Sequence, residues 1–211
     1  MPTTINLLRH AQAYNNLATV DPANLKDAAL TVTGEKQAFE IRQNLLPLKF
    51  AAIYCSPLQR CRQTLKLACP RSVYNRVLVD DRLLEQPYGT HISNQRSERN
   101  IVIQNSPIYW DCSMVAETNP FSVRTKTEEY QIILDFTKML IHEYPNKQVL
   151  IVSHGRWISR FLKLFCKIER HINNAECLQV IVGPEHLHQV RIRKRSSDSS
   201  EEKNSEKKSR H

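Results

Sequence analysis

Nowhere does the chain hold an apolar run approaching the roughly 18 residues that a membrane-spanning helix requires. Its first residues, Met1-Pro2-Thr3-Thr4, carry neither the basic segment nor the long apolar stretch of a secretory signal. A soluble protein of the cytoplasm, the nucleus or both, with no membrane partner, is therefore expected. Paired cysteines are missing too. Cys55, Cys61, Cys69, Cys112, Cys166 and Cys177 contain no CxxC motif and no Cys/His ladder with zinc spacing, which argues against a disulfide framework and a structural zinc site. Neighbours such as Leu67-Ala68 and Leu164-Phe165 suit reduced core cysteines. The body also lacks a basic stripe interleaved with aromatics, so nucleic acid ranks last among ligand classes.

What the chain does have is ordinary globular composition: 211 residues, 41% hydrophobic and 24% charged, enough for one domain with its own core. The net charge is +9. From Arg191 onward eight basic side chains face four acidic ones, so +4 belongs to the tail and +5 to the body. A moderately basic body suits anionic ligands, though charge alone does not separate a phosphorylated metabolite from other polyanions. Residues 191–211 are rich in Ser, Lys, Glu and Arg and are expected to be a disordered tail following a domain over 1–190. The basic cluster at 191–195 and the acidic serine run at 196–202 could engage a protein complex or a kinase. A solubilising tail is the simpler reading.

Periodicity divides the body into alternating strands and helices. Short apolar runs at 5–8, 50–55, 77–79 and 149–152 read as strands, the last as one covered on both faces. Helical spacing marks 33–46, 127–143 and 156–166, and Ser56-Pro57 reads as a cap and first turn for a helix ending near residue 68. Residues 178–182 and 187–192 read as closing strands around a Gly183-Pro184 turn. The fold class is α/β: a mainly parallel central sheet with helices on both faces, in a single domain. Residues 86–126, broken by Pro87, Gly89, Pro107 and Pro120, read as an insertion that acts as a lid or specificity element.

In such folds ligands bind beyond the carboxyl ends of the strands. There the sequence places Arg9-His10, the segment Ser56 to Arg60, and Ser153-His154-Gly155. Phosphoryl transfer needs cations and N–H groups for the phosphate oxygens, an in-line nucleophile and a proton for the leaving oxygen. Arginine forks match phosphate oxygens, and a neutral imidazole can take the phosphoryl group itself. One such histidine alone would mean little; three basic elements at strand ends together with Glu85 mean more.

These residues carry a resemblance. Leu8-Arg9-His10-Ala11-Gln12-Ala13-Tyr14-Asn15-Asn16 resembles the RHG signature of the histidine phosphatase (phosphoglycerate mutase-like) superfamily, branch 1. Leu30-Thr31 with Gly34 and Gln37-Ala38 is similar to its helix entry, and Ser56-Pro57-Leu58-Gln59-Arg60-Cys61-Arg62-Gln63-Thr64 to its arginine segment. Leu83-Leu84-Glu85 and Val152-Ser153-His154-Gly155 fit its last two elements, in family order. The resemblance implies that His10 is the phosphorylated nucleophile. It makes Arg9, Arg60 and His154, with Asn16 and Gly155, the phosphate-binding residues. Glu85 would be general acid toward the leaving oxygen and then base toward water. No cofactor and no metal are implied.

Two positions depart from the pattern: Ala11 stands where the family usually has Gly, and Ala13 where it often has Ser or Thr. If residue 11 needs positive φ, Ala distorts the pocket; if not, the change adds one methyl group. Neither departure removes an ionic participant, so activity is expected, on a small phosphorylated substrate or a phosphoprotein. Family mutases carry a longer insertion and more C-terminal covering structure, which favours hydrolysis over a phosphoglycerate-type mutase. A phosphatase-like interaction subunit of a larger, nuclear assembly is the alternative of a different class. Among further histidines, His142, His171, His186 and His188 read as surface positions and His91 as part of the insertion. Arg156 reads as solvent-facing and Trp157 as core.

Overall fold

The run Val149-Leu150-Ile151-Val152 has no polar face, and it lies at the centre of a six-stranded sheet. The computed structural model describes residues 1–19, 27–69, 76–85, 109–114 and 125–190. Strands β1 (Thr3–Arg9), β2 (Ala52–Cys55), β3 (Arg76–Asp80), β4 (Tyr109–Met114), β5 (Gln148–Ser153) and β6 (Cys177–Val182) assemble in the order β4-β3-β2-β5-β1-β6. Every pairing is parallel except that of β6, which runs antiparallel to β1. The helices are α1 (Val32–Glu40), α2 (Arg42–Leu45), α3 (Gln59–Ala68), α4 (Lys126–Glu143), α5 (Gly155–Phe165) and α6 (Pro184–Gln189).

Strand alternation sorts the core into two layers. Ile5, Leu7, Val149 and Ile151 pack with Phe136 and Leu140 of α4 and with Trp157, Ile158 and Phe161 of α5. Leu8, Ile53, Leu150 and Val152 face the other way, onto Leu45 of α2 and Cys61, Leu65 and Ala68 of α3. The doubly covered sheet is the α/β architecture read from the sequence. The free thiols of Cys55, Cys61 and Cys69 are buried, and burial pushes that of Cys61 up to about 12. No helix among the described residues is long and apolar enough to cross a membrane.

Three elements differ from expectation. Residues 184–189 form α6 instead of the start of a strand, because Pro184 opens a helical turn and the Gly183 N–H donates to His186 Nδ1 at 3.0 Å. Helix α3 starts at Gln59, not at Ser56-Pro57, and its first N–H is capped by Asp27 Oδ1 at 2.7 Å, a partner distant in sequence. An edge strand, β4, occupies part of the stretch read as an irregular insertion. Residues 86–108 and 115–124 of that insertion and the tail, 191–211, lie outside the described residues.

The start of α1 is clamped to the loop after β1. Thr31 caps the helix by accepting from the Gly34 N–H (3.0 Å), while its own N–H donates to the Gln12 carbonyl (3.0 Å). That carbonyl presses on Gly34: a Cβ built there would lie 1.9 Å from Gln12 O, with backbone on both sides of the clash. Gly34→Ala is therefore expected to cost about 1–3 kcal/mol, as overpacking does. Urea unfolding checks this, and a change within about 0.5 kcal/mol would show that the loop yields freely.

Candidate active site

Three strand ends deliver the site. β1 ends at Arg9 and hands the chain to His10, β2 leads through Ser56 to Arg60 in the first turn of α3, and β5 runs into His154 and Gly155 at the start of α5. The fourth contributor, Glu85, follows a 3-10 turn (Asp81–Leu83) tied down by side chains below it. Ser153 Oγ donates to the Leu83 carbonyl (2.8 Å) and Trp157 Nε1 to the Arg82 carbonyl (2.8 Å). Arg82 in turn is held by both carboxylate oxygens of buried Asp80, its Nη2 lying 2.6 Å from Oδ2.

His10 is buried, and its Nδ1 lies 2.8 Å from the Ala11 carbonyl. A carbonyl can only accept, so Nδ1 carries the proton and Nε2 keeps its lone pair. Burial, reinforced by the charges of Arg60 and Arg9, holds the imidazole well below its usual pKa and keeps it neutral. The ring of His154 meets that of His10 edge-on, with centroids 5.2 Å apart. His154 is likewise held well below the usual imidazole range, by burial and then by Arg60. Its Nε2 lies 2.9 Å from Ser56 Oγ, which also accepts from the Leu58 N–H at 3.5 Å. On the other side Nδ1 of His154 faces the acceptor Glu85 Oε2 at 3.7 Å, so a proton on Nδ1 with the Ser56 hydroxyl donating to Nε2 is the tautomer that suits both neighbours.

Glu85 Oε2 also accepts from Arg60 Nη2 at 3.3 Å. The Nε atoms of Arg9 and Arg60 are buried with no hydrogen-bond partner. Arg9 is steered by its Nη1, which donates to the Ile172 carbonyl and lies 3.4 Å from His171 Nε2. Gly155 makes room for it, since a Cβ at that position would lie 3.1 Å from Arg9 Nε. Arg9, His10, Arg60, Glu85, His154 and Gly155 thus come together as the sequence implies. Asn16 serves the loop: its Oδ1 accepts from the Ala13 N–H (3.0 Å) and from Asn174 Nδ2 (3.2 Å).

The two departures resolve without strain. Ala11 is not among the described non-glycine residues with positive φ, which are Asn146, Lys167 and Ala175, and its N–H donates to Thr64 Oγ1 at 2.9 Å. Its methyl group joins Ala13, Ala28, Leu30, Ala38 and Ala175 in a small-residue cluster. Several supports carry no sequence role beforehand. Thr64 links Ala11 to the Arg60 carbonyl, Ser56 orients His154, and Asn174 Nδ2 donates to the His10 carbonyl (3.1 Å). Thr64 and Ser56 lie inside the recognised segment; Asn174 has no local signal. His171 and His186, read as surface positions without partners, are exposed and partly exposed, and they meet Arg9 and the Gly183 N–H.

One donor atom each from His10, Glu85 and His154 lies within 4.8 Å of the others, so the trio could geometrically face a metal ion. Arg9 and Arg60 press positive charge on both imidazoles, however, and His10 has only Nε2 to offer. A divalent cation would meet repulsion there, whereas an oxyanion would meet two unused guanidinium N–H groups.

Over 83 residues the chain is 32% identical to a probable phosphatase of Schizosaccharomyces pombe, a match covering 39% of each chain. Phosphoserine phosphatase of Entamoeba histolytica, solved with phosphoserine, superposes with a TM-score of 0.56 at 21% identity, covering 84% of this chain and 89% of that one. A mycobacterial glucosyl-3-phosphoglycerate phosphatase gives 0.62 at 19% identity, covering 92% and 97%. At these identities the two structures share the fold. The model of the histidine phosphatase superfamily (branch 1) matches residues 5–196, and the chain belongs to that family.

Proposed function

We propose that the protein hydrolyses phosphomonoesters through a phosphohistidine on His10. The observation that carries this is the pair of buried, partnerless Nε–H groups of Arg9 and Arg60 beside a neutral imidazole whose Nε2 lone pair is free. An arriving phosphate dianion satisfies both guanidinium groups, and His154 Nδ1 supplies a further donor. Nε2 attacks phosphorus as the ester P–O bond breaks, and the departing oxygen takes the proton of the Glu85 carboxyl. The carboxylate so formed draws a proton from a water molecule, which attacks phosphorus. The P–N bond then breaks, releasing inorganic phosphate and restoring His10. The substrate class is a small phosphorylated molecule or a phosphoprotein.

With p-nitrophenyl phosphate and EDTA present, turnover is expected to persist in the wild type and to fall about 10³-fold or more in His10→Ala. Turnover abolished by the chelator, or retained in the mutant, would overturn the assignment. Glu85→Gln is expected to lower kcat about 10²–10⁴-fold on alkyl phosphates. In kcat/KM, which reports the phosphorylation step and not the later attack of water, the loss should be smaller on p-nitrophenyl phosphate, whose leaving group departs without a proton; equal losses in kcat/KM on both would remove Glu85 as the acid. Nitrogen NMR of the imidazoles should report His10 as the neutral Nδ1–H form at about pH 5.5. Its folded pKa lies below the ordinary 6.5, so the unfolded chain binds more protons as pH falls, and stability present above that value is lost on acidification. A His10 transition centred at the ordinary value would contradict the burial argument.

A further inference from the structure

The turn that joins α5 to β6 wraps the nucleophile loop, and residues 171–176 reach three groups of the site at once. The Arg9 N–H donates to the Glu176 carbonyl (3.0 Å), and the Arg9 guanidinium meets the Ile172 carbonyl and His171. The His10 carbonyl takes two donors from this turn, Asn174 Nδ2 at 3.1 Å and the Ala175 N–H at 3.2 Å. Ala175 stands at φ 56°, a left-handed backbone that residues other than glycine seldom adopt. Such a conformation persists only where its surroundings over-determine it. Glu176 supplies that constraint. Its carboxylate accepts from the Asn173 N–H (2.7 Å) and pairs with Arg170, and its own N–H returns to the Asn173 carbonyl (3.2 Å).

Within the turn the Asn174 amide has a determinate orientation. The Ala13 N–H can only donate, so the Asn16 atom 3.0 Å from it is the amide oxygen, Oδ1. Asn174 lies 3.2 Å from that same oxygen and 3.1 Å from the His10 carbonyl. Both neighbours are acceptors, so Asn174 turns its nitrogen to them and places one hydrogen on each. The consequence falls on Asn16. Ala13 and Asn174 occupy both lone pairs of Oδ1, so the end of the exposed Asn16 amide left for a ligand is the Nδ2 donor. An untethered asparagine amide could turn either end outward, and only the nitrogen end suits an oxyanion.

We propose that Asn174 is a positioning residue for the phosphatase reaction: it fixes the main chain of the nucleophile His10 and sets the Asn16 amide with its donor end available to phosphate. The proposal rests on the phosphatase reading above. The Asn174 nitrogen is occupied by its two acceptors, so the residue acts through them and not on substrate. Through His10 it acts on the attack geometry and hence on kcat. Through Asn16 it acts on how tightly the phosphate oxygens are held, and hence on KM.

Two substitutions and a mutant cycle test this, with p-nitrophenyl phosphate as substrate and inorganic phosphate as inhibitor. Asn174→Ala removes both donors and is expected to lower kcat, and to raise KM and the phosphate inhibition constant, each by about threefold or more. Asn174→Asp keeps the shape but sets carboxylate oxygens against two acceptors, so it should be the worse variant. A role in packing alone would make this near-isostere the milder one. In an Asn16→Ala background the effect of Asn174→Ala on KM and on phosphate inhibition should vanish, while its effect on kcat persists. If one variant does not fold, the other carries the cycle. Smaller changes in Asn174→Ala, an Asp variant milder than the Ala variant, or a KM effect unmoved by Asn16→Ala each overturns the proposal. In all three cases continued turnover of p-nitrophenyl phosphate by the wild type, lost in His10→Ala, leaves the phosphatase reading standing. If the folded wild type turns over no phosphomonoester, the phosphatase reading falls. Calorimetric titration of inorganic phosphate over the same cycle then decides whether Asn174 orients Asn16.

Discussion

The main-chain amides of His10, Ala11, Gln12 and Ala13 each donate to a different part of the molecule. His10 N–H reaches the Ser153 carbonyl of β5 (3.0 Å), Ala11 N–H reaches Thr64 Oγ1 of α3 (2.9 Å), and Gln12 N–H reaches Gln37 Oε1 of α1 (2.9 Å). Ala13 N–H closes on Asn16 Oδ1 within the loop. The His10 carbonyl accepts from Asn174 Nδ2 and the Ala175 N–H, on the approach to β6. A nucleophile must be held to within a fraction of an ångström of its attack geometry. Here the fold supplies that precision by spreading the backbone bonds of four residues over a strand, two helices and a distant turn.

The same loop explains how a buried cluster of like charges is tolerated. Arg9 and Arg60 both press on His10, and an isolated buried cation is costly. Glu85 offsets part of that charge through Arg60, and the Ile172 carbonyl anchors Arg9. The imidazoles respond by staying neutral, which is the state a nucleophile and a hydrogen-bond donor both require. Within this cluster the Nε–H groups of Arg9 and Arg60 stay unsatisfied, ready for an oxyanion. Such partial satisfaction is the usual mark of a site that trades stability for ligand recognition.

Much of the architecture was legible beforehand because its signals are local. Val149-Leu150-Ile151-Val152 needs cover on both faces whatever surrounds it, and the helical spacing of apolar residues over 127–143 marks α4 by itself. Where the reading failed, longer-range partners had intervened. Ser56-Pro57 has the chemistry of a helix start, yet Ser56 Oγ is committed to His154, and Asp27 caps α3 from another loop. Residues 187–192 carry apolar residues suited to a strand, but Pro184 had already turned the chain into α6. β4, with Pro107 just before it, shows no alternation that would mark it, and it exists because the edge of β3 was there to pair with.

From the sequence alone came the ionic participants, their order along the chain and their places after strands, since strand-to-helix turns and family motifs are written in consecutive residues. Only the tertiary structure decided which nitrogen of each histidine holds the proton, that Ala11 fits without left-handed backbone, and that Asn174 joins His10 to Asn16. Those properties depend on atoms brought together from residues as far apart as 10 and 174, or 56 and 154. No local pattern encodes a distance between such positions; packing of the two helical layers on one sheet does.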